Sequence, residues 1–390
     1  MDDTSLNKKN NILCIHQGAE FYGSDKVFYN SVITLNRIYD VYVILPQDGI
    51  LKSNFEIAGI KVTVLRLFIL RRSLLKLNKI PFGVKSLITD IINLKEIIYN
   101  KNIDIIYSNT IAVISGAITA KILNKKHYWH IHEIIEKPKI LSIVIRFIIN
   151  KLSDKIIVVS NAVKNFVLYN NMENSFKIKL LYNGFEWGDY LKSYNNSSDY
   201  IKKLGIRSNN IIITCVGRLH FWKGQDLLLK SFNLLSQSNS NIKLLLIGDV
   251  FPGYEYIREK LIHFVEEKSL SEKVIFLGFR LDIPNLMHIS DIIVIPSIQP
   301  DPFPTTVLEA MASGKAVIGA KIGGIPEMIR HGKSGLLFTP NDENDLSNKI
   351  QQLLDDPLKR KQLGIEARKE VLDKFSLVNY ASNLLIAFQE

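Results

Sequence analysis

Short runs rich in Val and Ile alternate with longer amphipathic stretches along almost the whole of this 390-residue chain. The runs in the first half are Ile12–His16, Val41–Leu45, Lys61–Leu65, Ile103–Ser108, His127–His130 and Lys155–Val159, with a short one at Lys179–Leu181. The pattern restarts at Ile211–Val216, Lys243–Ile247, Val274–Leu277, Ile292–Pro296, Ala316–Gly319 and Gly335–Phe338. Apolar runs too short for helices, separated by helical stretches, predict parallel strands covered on both faces. The polar, Asn/Ser-rich stretch Tyr190–Asp199 interrupts the pattern and is read as a linker. The expected fold class is therefore α/β, with two Rossmann-like, doubly wound parallel-sheet domains facing across a cleft. The expected domain limits are 1–190 and 191–374, with a helix over 375–390. In open sheets of this kind ligands bind beyond the carboxyl ends of strands, so functional residues are expected just after the apolar runs.

Composition narrows the function classes. The chain is 47% hydrophobic, enough to bury two cores. Its polar start lacks the charged-then-apolar pattern of a secretion signal, and no apolar run approaches the roughly 18–20 residues that span a bilayer. Cys14 and Cys215 lie inside strand-like runs and read as buried thiols, which implies neither a disulfide framework nor a metal site. A cytoplasmic protein is expected. The net charge of +11 is concentrated in the first half. Ile57–Thr89 carries Lys61, Arg66, Arg71, Arg72, Lys76, Lys79 and Lys85 among Leu, Ile and Phe, with no acid. Such a stretch suits an anionic membrane surface, and an ordinary solvated basic face is the plainer alternative. Nucleic acid is not expected, because no aromatic stacking platform accompanies the charge.

The densest cluster of chemistry lies at 301–331. Asp301 and Glu309 flank a Pro-rich turn and a helix start, and Gly323-Gly324-Ile325-Pro326-Glu327 follows the next strand. Carboxylates accept from polyol hydroxyls and helix-start amides donate to phosphate, so the cluster suits a phosphorylated polyol. Thr306 and Glu309 also have the S/T-x-x-E spacing of a capping box, a competing structural role for Glu309, and Gly314 is placed to end the helix. Upstream, Gly217-Arg218 and Lys223-Gly224 follow one strand, where two cations can hold a diphosphate leaving group. Gly248-Asp249 and Gly278-Phe279-Arg280 follow the next two, the latter suited to a nucleobase. In the first half, Gly18 and Gly23-Ser24-Asp25 form a phosphate or acceptor loop, though without the G-x-G-x-x-G spacing. His130 and His132 stand in WHIHE beside Glu133. Metal ligation by H-x-H lacks further ligands at recognisable spacing, so one histidine near a carboxylate is the better functional reading.

Taken together, these motifs resemble the GT-B nucleotide-sugar glycosyltransferases of family 4, retaining enzymes of bacterial surface-polysaccharide and glycolipid synthesis. The resemblance covers nearly the whole chain and is strongest over Ile211–Phe338. Its ordered elements are GR-x4-KG at Gly217–Gly224, IGD at Ile247–Asp249, FLGF at Phe276–Phe279, acid-x7-Glu ending in EAMASGKAV, GGIPE, and GKSGLLF at Gly332–Phe338. The resemblance implies that Arg218 and Lys223 grip the donor diphosphate and that Glu309 bonds the ribose. Backbone amides of Phe303, Thr305 and Thr306, around Pro304, would face sugar or phosphate, and His132 would line the sugar site. It also implies a polyprenyl-diphosphate-linked or other glycan acceptor, peripheral placement at the inner membrane face, and no metal or other cofactor. The C-terminal helix would cross back onto the N-terminal domain. Asp301 stands where the family has its first glutamate, about 1.5 Å shorter in reach, so the hydroxyl it contacts is open. A nucleotide-sugar epimerase and a non-catalytic glycan- or lipid-binding scaffold are the alternatives. Turnover of donor without acceptor would mark the first, and failure to bind nucleoside diphosphates the second.

Overall fold

The computed structural model describes residues 9–70, 80–169, 172–192 and 197–389. Each apolar run becomes a strand. The first sheet contains β1 (Asn11–Ile15), β2 (Asp40–Leu45), β3 (Lys61–Val64), β4 (Ile105–Asn109), β5 (Lys126–Ile131), β6 (Lys155–Val158) and β7 (Ile178–Leu180). The second contains β8 (Ile211–Val216), β9 (Ile242–Ile247), β10 (Val274–Gly278), β11 (Ile292–Ile295), β12 (Ala316–Ala320) and β13 (Leu336–Phe338). All pairings are parallel, in the orders β3-β2-β1-β4-β5-β6-β7 and β10-β9-β8-β11-β12-β13. The fold class is thus two doubly wound Rossmann-like sheets, the GT-B pair. In each sheet the winding reverses beside its first strand, between β1 and β4 and between β8 and β11. Such reversals open a crevice beyond the carboxyl ends of the two strands.

Strand residues are buried on both faces, as a covered parallel sheet requires. Along β1, Ile12 and Cys14 join a core with Val27, Phe28, Leu51 and Phe55, while Leu13 and Ile15 join another with Leu94, Ile98 and Ala120. The first core is completed by Tyr380, Leu384 and Phe388 from the helix Leu377–Gln389.

The chain divides into two compact units. One ends at Phe185 and resumes at Leu377; the other is Glu186–Ser376. The first division precedes the Asn/Ser-rich stretch because Trp187 already belongs to the second unit. Its indole Nε1 donates to Phe375 O at 3.0 Å, and the short helix Gly188–Leu191 follows. Of the expected linker, 193–196 lie outside the described residues. So do Arg71, Arg72, Lys76 and Lys79 of the basic stretch; Lys61, Arg66 and Lys85 are described.

Candidate functional sites in each unit

In the second unit the candidate residues collect at the β8/β11 reversal. Gly217 and Arg218 leave β8, and the loop runs through a 3-10 turn, Phe221–Lys223, to Gly224. Gly224 has a left-handed φ of 73°, and a Cβ there would fall 1.9 Å from Pro296 O. Only glycine lets this loop lie against the segment leaving β11, where Ile298 N–H donates to Trp222 O at 2.9 Å. The close approach sets Lys223 Nζ 2.6 Å from Asp301 Oδ2. Asp301 is itself fixed by the GGIPE turn: Gly324 N–H donates to its carbonyl at 2.8 Å, and a Cβ on Gly323 (φ 60°) would lie 2.2 Å from the same oxygen.

The helix after Asp301 begins two residues earlier than a Thr306 cap would place it. It spans Thr305–Ala312, with Pro304 as the N-cap residue at φ −67° and ψ 119° and no side-chain cap. Pro304 has the fixed φ of a helix entrance and cannot itself donate. The capping-box role read for Thr306 and Glu309 is therefore corrected. Glu309 sits in the second turn, and its carboxylate hydrogen-bonds the Tyr190 hydroxyl, whose pKa is raised by burial first and then by Glu309. The amides of Thr305 and Thr306 occupy the helix start, where N–H groups have no intrahelical acceptor. The Phe303 ring is buried against Phe375, centroids 5.7 Å apart, so only its backbone is available to a ligand. Gly314 ends the helix at φ 67°, with Arg368 donating to Ala312 O and Ser313 O.

The remaining donor-side candidates surround this centre in different ways. The Arg218 guanidinium stacks 3.3 Å from the centroid of the Phe251 ring, and its carbonyl accepts from the buried Gln225 amide at 3.0 Å. A Cβ on Gly248 would lie 2.1 Å from Gly217 O, so the loops leaving β8 and β9 meet backbone to backbone. Arg280 is committed to a forked ion pair with Asp282, at 2.8 and 2.7 Å, and to Tyr200 OH at 2.9 Å. That pair holds the Asp282 pKa down to about 2. The structure thus gives Arg280 a structural partner, while the neighbouring Phe279 ring is exposed.

In the first unit the β1/β4 reversal gathers a second set. His132 follows β5, and its Nε2 lies 2.9 Å from Asn109 Oδ1 at the end of β4. Asn109 Nδ2 lies 2.9 Å from His16 Nδ1, one residue past β1. His16 Nε2 lies 2.7 Å from Asp25 Oδ1, and Asp25 Oδ2 accepts from Tyr22 N–H at 2.9 Å. Asp25 belongs to the loop read from Gly18, Gly23 and Ser24. Gly23 opens the helix Gly23–Leu35, and a Cβ on Gly18 would lie 3.2 Å from Asp25 Oδ1. His130 points into the core instead. It is fully buried, with Nδ1 2.6 Å from Tyr107 OH, and burial lowers its pKa to about 3. His132 is held well below the usual imidazole range by burial, then by His130 and His16. Glu133 turns inward to accept from Ile111 N–H and His132 N–H, both at 3.1 Å, and burial raises its pKa to about 7. Among the described residues no group of three or more His, Cys, Asp or Glu could hold a metal ion, and no helix is long and apolar enough to cross a membrane.

Tyr190, Asn109 and His16 were not singled out from sequence. Tyr190 lay in a stretch read as linker. Asn109 and His16 became neighbours only through the β1–β4 register, which pairs Ile15 with Ser108.

Residues 196–370 match the family described as glycosyl transferases group 1. The chain is 32% identical to the uncharacterized glycosyltransferase MJ1178 of Methanocaldococcus jannaschii, over 72% of this chain and 74% of that protein. It is 31% identical to the lipopolysaccharide 1,2-N-acetylglucosaminetransferase of Salmonella typhimurium, over 58% of this chain and 60% of that enzyme. Several of the curated relatives are matched over only about 60% of their length. Among solved structures, Anabaena HepE in complex with UDP superposes with a TM-score of 0.82 at 27% identity, covering 97% of this chain and 99% of that one. HepE has also been crystallised with UDP-glucose.

Proposed function

Since the chain belongs to the glycosyl transferases group 1, we propose that it transfers a sugar, with retention, from a nucleotide-diphosphate donor to a lipid-linked or other glycan acceptor. The carrying observation is the Lys223–Asp301 pair, 2.6 Å long, at the β8/β11 reversal and in front of the Thr305–Ala312 helix start. A cation, a carboxylate and unpaired helix-start amides together match a diphosphate joined to a polyol. In this reading Arg218, Lys223 and the amides of Thr305 and Thr306 hold the diphosphate. Asp301 accepts from a sugar hydroxyl, and Glu309, oriented by Tyr190, accepts from the ribose. Gly217 and Gly248 keep the adjoining loops low, and Phe279 meets the base.

The chemistry follows from those placements. The bond from the anomeric carbon to the diphosphate oxygen breaks, and its electron pair stays on the leaving group, where Arg218 and Lys223 stabilise it. The acceptor oxygen bonds to the same face of that carbon and passes its proton to the departing diphosphate oxygen. The two cations can perform the charge neutralisation that a metal ion supplies elsewhere, so no metal is proposed. UDP is the first nucleotide to test, because HepE was crystallised with UDP and UDP-glucose.

We further place the acceptor at an anionic membrane surface, as the Salmonella relative's lipopolysaccharide acceptor suggests. The helix Lys139–Leu152 supports this reading. It exposes Ile140, Ile143, Val144 and Phe147 in one stripe, carries Lys139 and Lys151, and has no acid.

Calorimetric titration with UDP and other nucleoside diphosphates tests the proposal. Binding should be present in the parent protein and weaker by about ten- to a hundredfold in Lys223→Met. Turnover should fall at least as far in both Lys223→Met and Arg218→Met. Near-normal turnover in both would remove the phosphate assignment, and absence of any nucleotide binding would leave the scaffold reading.

A further inference from the structure

The first unit carries a four-residue hydrogen-bonded chain, Asp25–His16–Asn109–His132, whose members are 2.7, 2.9 and 2.9 Å apart. Asp25, His16 and Asn109 are buried, and His132 is partly exposed. The direction of the chain follows from its acidic end. Both oxygens of the Asp25 carboxylate accept, Oδ2 from Tyr22 N–H and Oδ1 from His16. His16 must then carry its proton on Nε2. Its ring is enclosed, stacked on Phe28 with centroids 4.7 Å apart and planes at 16°. With its single ring proton on Nε2, it has a bare Nδ1 that can only accept. Asn109 therefore turns its NH₂ toward His16 and its oxygen toward His132, and His132 must donate from Nε2. Rotating the amide would set an oxygen against the lone pair of His16 Nδ1, which leaves a buried acceptor unsatisfied.

The outcome appears at the ring's other nitrogen. Among the described residues no protein group bonds His132 Nδ1. We infer that Asp25, His16 and Asn109 are positioning residues that hold His132 as the Nε2-protonated neutral tautomer, so that Nδ1 offers a lone pair to its ligand. The ligand group it recognises is a hydroxyl, and a carboxylate or phosphate oxygen at the same place is rejected. This deepens the glycosyltransferase reading and, for its ligand, rests on it: the sugar carries a free hydroxyl where His132 meets it. It also keeps His132 from acting as a proton donor. The tautomer itself does not depend on what the protein binds.

Long-range proton–nitrogen correlation spectra of the full chain labelled with ¹⁵N-histidine test the inference, since protonated and bare ring nitrogens have widely separated shifts. The His132 signals are those absent from His132→Gln. The parent protein should show a proton on Nε2 and a bare Nδ1. Asn109→Leu, which removes the acceptor, should bring the two His132 shifts toward a tautomer average. A proton on Nδ1 in the parent protein, or on both nitrogens, overturns the inference, as does an unchanged His132 pattern in Asn109→Leu. The parent spectrum decides even if Asn109→Leu does not fold. UDP calorimetry separates the two failures. UDP binding should be equal in the parent and Asn109→Leu, because the proposed nucleotide groups lie in the other unit, whereas turnover should drop about ten- to a hundredfold in Asn109→Leu. Loss of UDP binding by the parent protein overturns the enzyme reading and leaves the tautomer assignment standing.

Discussion

The Lys223 ammonium has two claimants, the Asp301 carboxylate 2.6 Å away and the diphosphate it is proposed to hold. Both carboxylate and ammonium are shielded, with side-chain exposures of 13% and 30%, so the pairing is not screened as a surface pair would be. Asp301→Asn removes the internal competitor. UDP alone should then bind about three- to tenfold tighter, while turnover falls because the sugar loses its carboxylate acceptor. Calorimetry and a donor-consumption assay read the two effects separately, and a loss of UDP affinity would show that Asp301 orients Lys223 rather than competing for it. Glu133 makes a different prediction. Burial raises its pKa from 4.5 to about 7, although the Ile111 and His132 amides pull it down. Between those values the folded protein binds more protons than the unfolded chain, so stability falls as pH rises from about 5 to 8. The loss is up to about 3 kcal/mol. Glu133→Gln should remove that slope, seen as a smaller drop in Tm across the same range than in the parent protein. Equal slopes would place the cost of ionisation elsewhere. Neither effect is legible from residue types alone, because both depend on partners brought in by the fold.

Loops and helices set these partners through a few backbone positions. Gly323 is the sharpest, with a left-handed φ of 60° and the Asp301 carbonyl 2.2 Å from any added Cβ. Gly323→Ala should cost the second unit about 1–2 kcal/mol from φ alone, more if the carbonyl cannot move, and displace Asp301. We expect a ten- to hundredfold drop in kcat/KM with the first unit's unfolding transition unchanged; full activity would mean the turn does not hold Asp301 in place. The helix Lys139–Leu152 carries a prediction of another kind. Ile140 is 79% and Phe147 64% exposed, on one stripe with Ile143 and Val144. Ile143→Asp with Phe147→Asp should lower sedimentation with anionic liposomes at least tenfold without affecting UDP binding, whereas replacing Lys61, Arg66 and Lys85 tests the basic stretch separately. Unchanged sedimentation in the first variant would assign the stripe no part in lipid binding. At this scale the sequence was most readable where one physical rule dominated. Val- and Ile-rich runs became strands because a parallel sheet covered on both faces needs them, and the glycines after strands marked the loops that meet. The capping reading of Thr306 did not survive because Pro304, two residues earlier than the motif's cap, has the fixed φ that starts the helix. Tyr190 was hidden by its polar surroundings, and the Asn109–His16 contact by a register that only strand pairing reveals.

At the scale of the molecule, two sheets of similar winding each concentrate polar chemistry at a reversal, and strand order creates both sites. No local pattern announces that β1 lies beside β4 or β8 beside β11. It is this pairing that brings His16 to Asn109, and the loop of Lys223 to Asp301. The chain also revisits its first unit after completing the second. Phe388 places its ring against Tyr39, Tyr107 and Tyr128, with centroids 6.0, 5.6 and 5.0 Å away, and Tyr380 OH lies 2.6 Å from Ser31 Oγ. Tyr107 also bonds His130, so the terminal helix packs against the strands that carry the histidines. Phe388→Ala removes a buried aromatic side chain, and such truncations cost about 3–5 kcal/mol. The cost should fall on the first unit, because Leu377–Gln389 completes that unit's core. Differential scanning calorimetry should therefore show the first unit's transition moving down, while UDP continues to raise the transition of the second. If both transitions fell together, the units would unfold as one cooperative body, and the terminal helix would stabilise the whole chain rather than the unit whose core it completes.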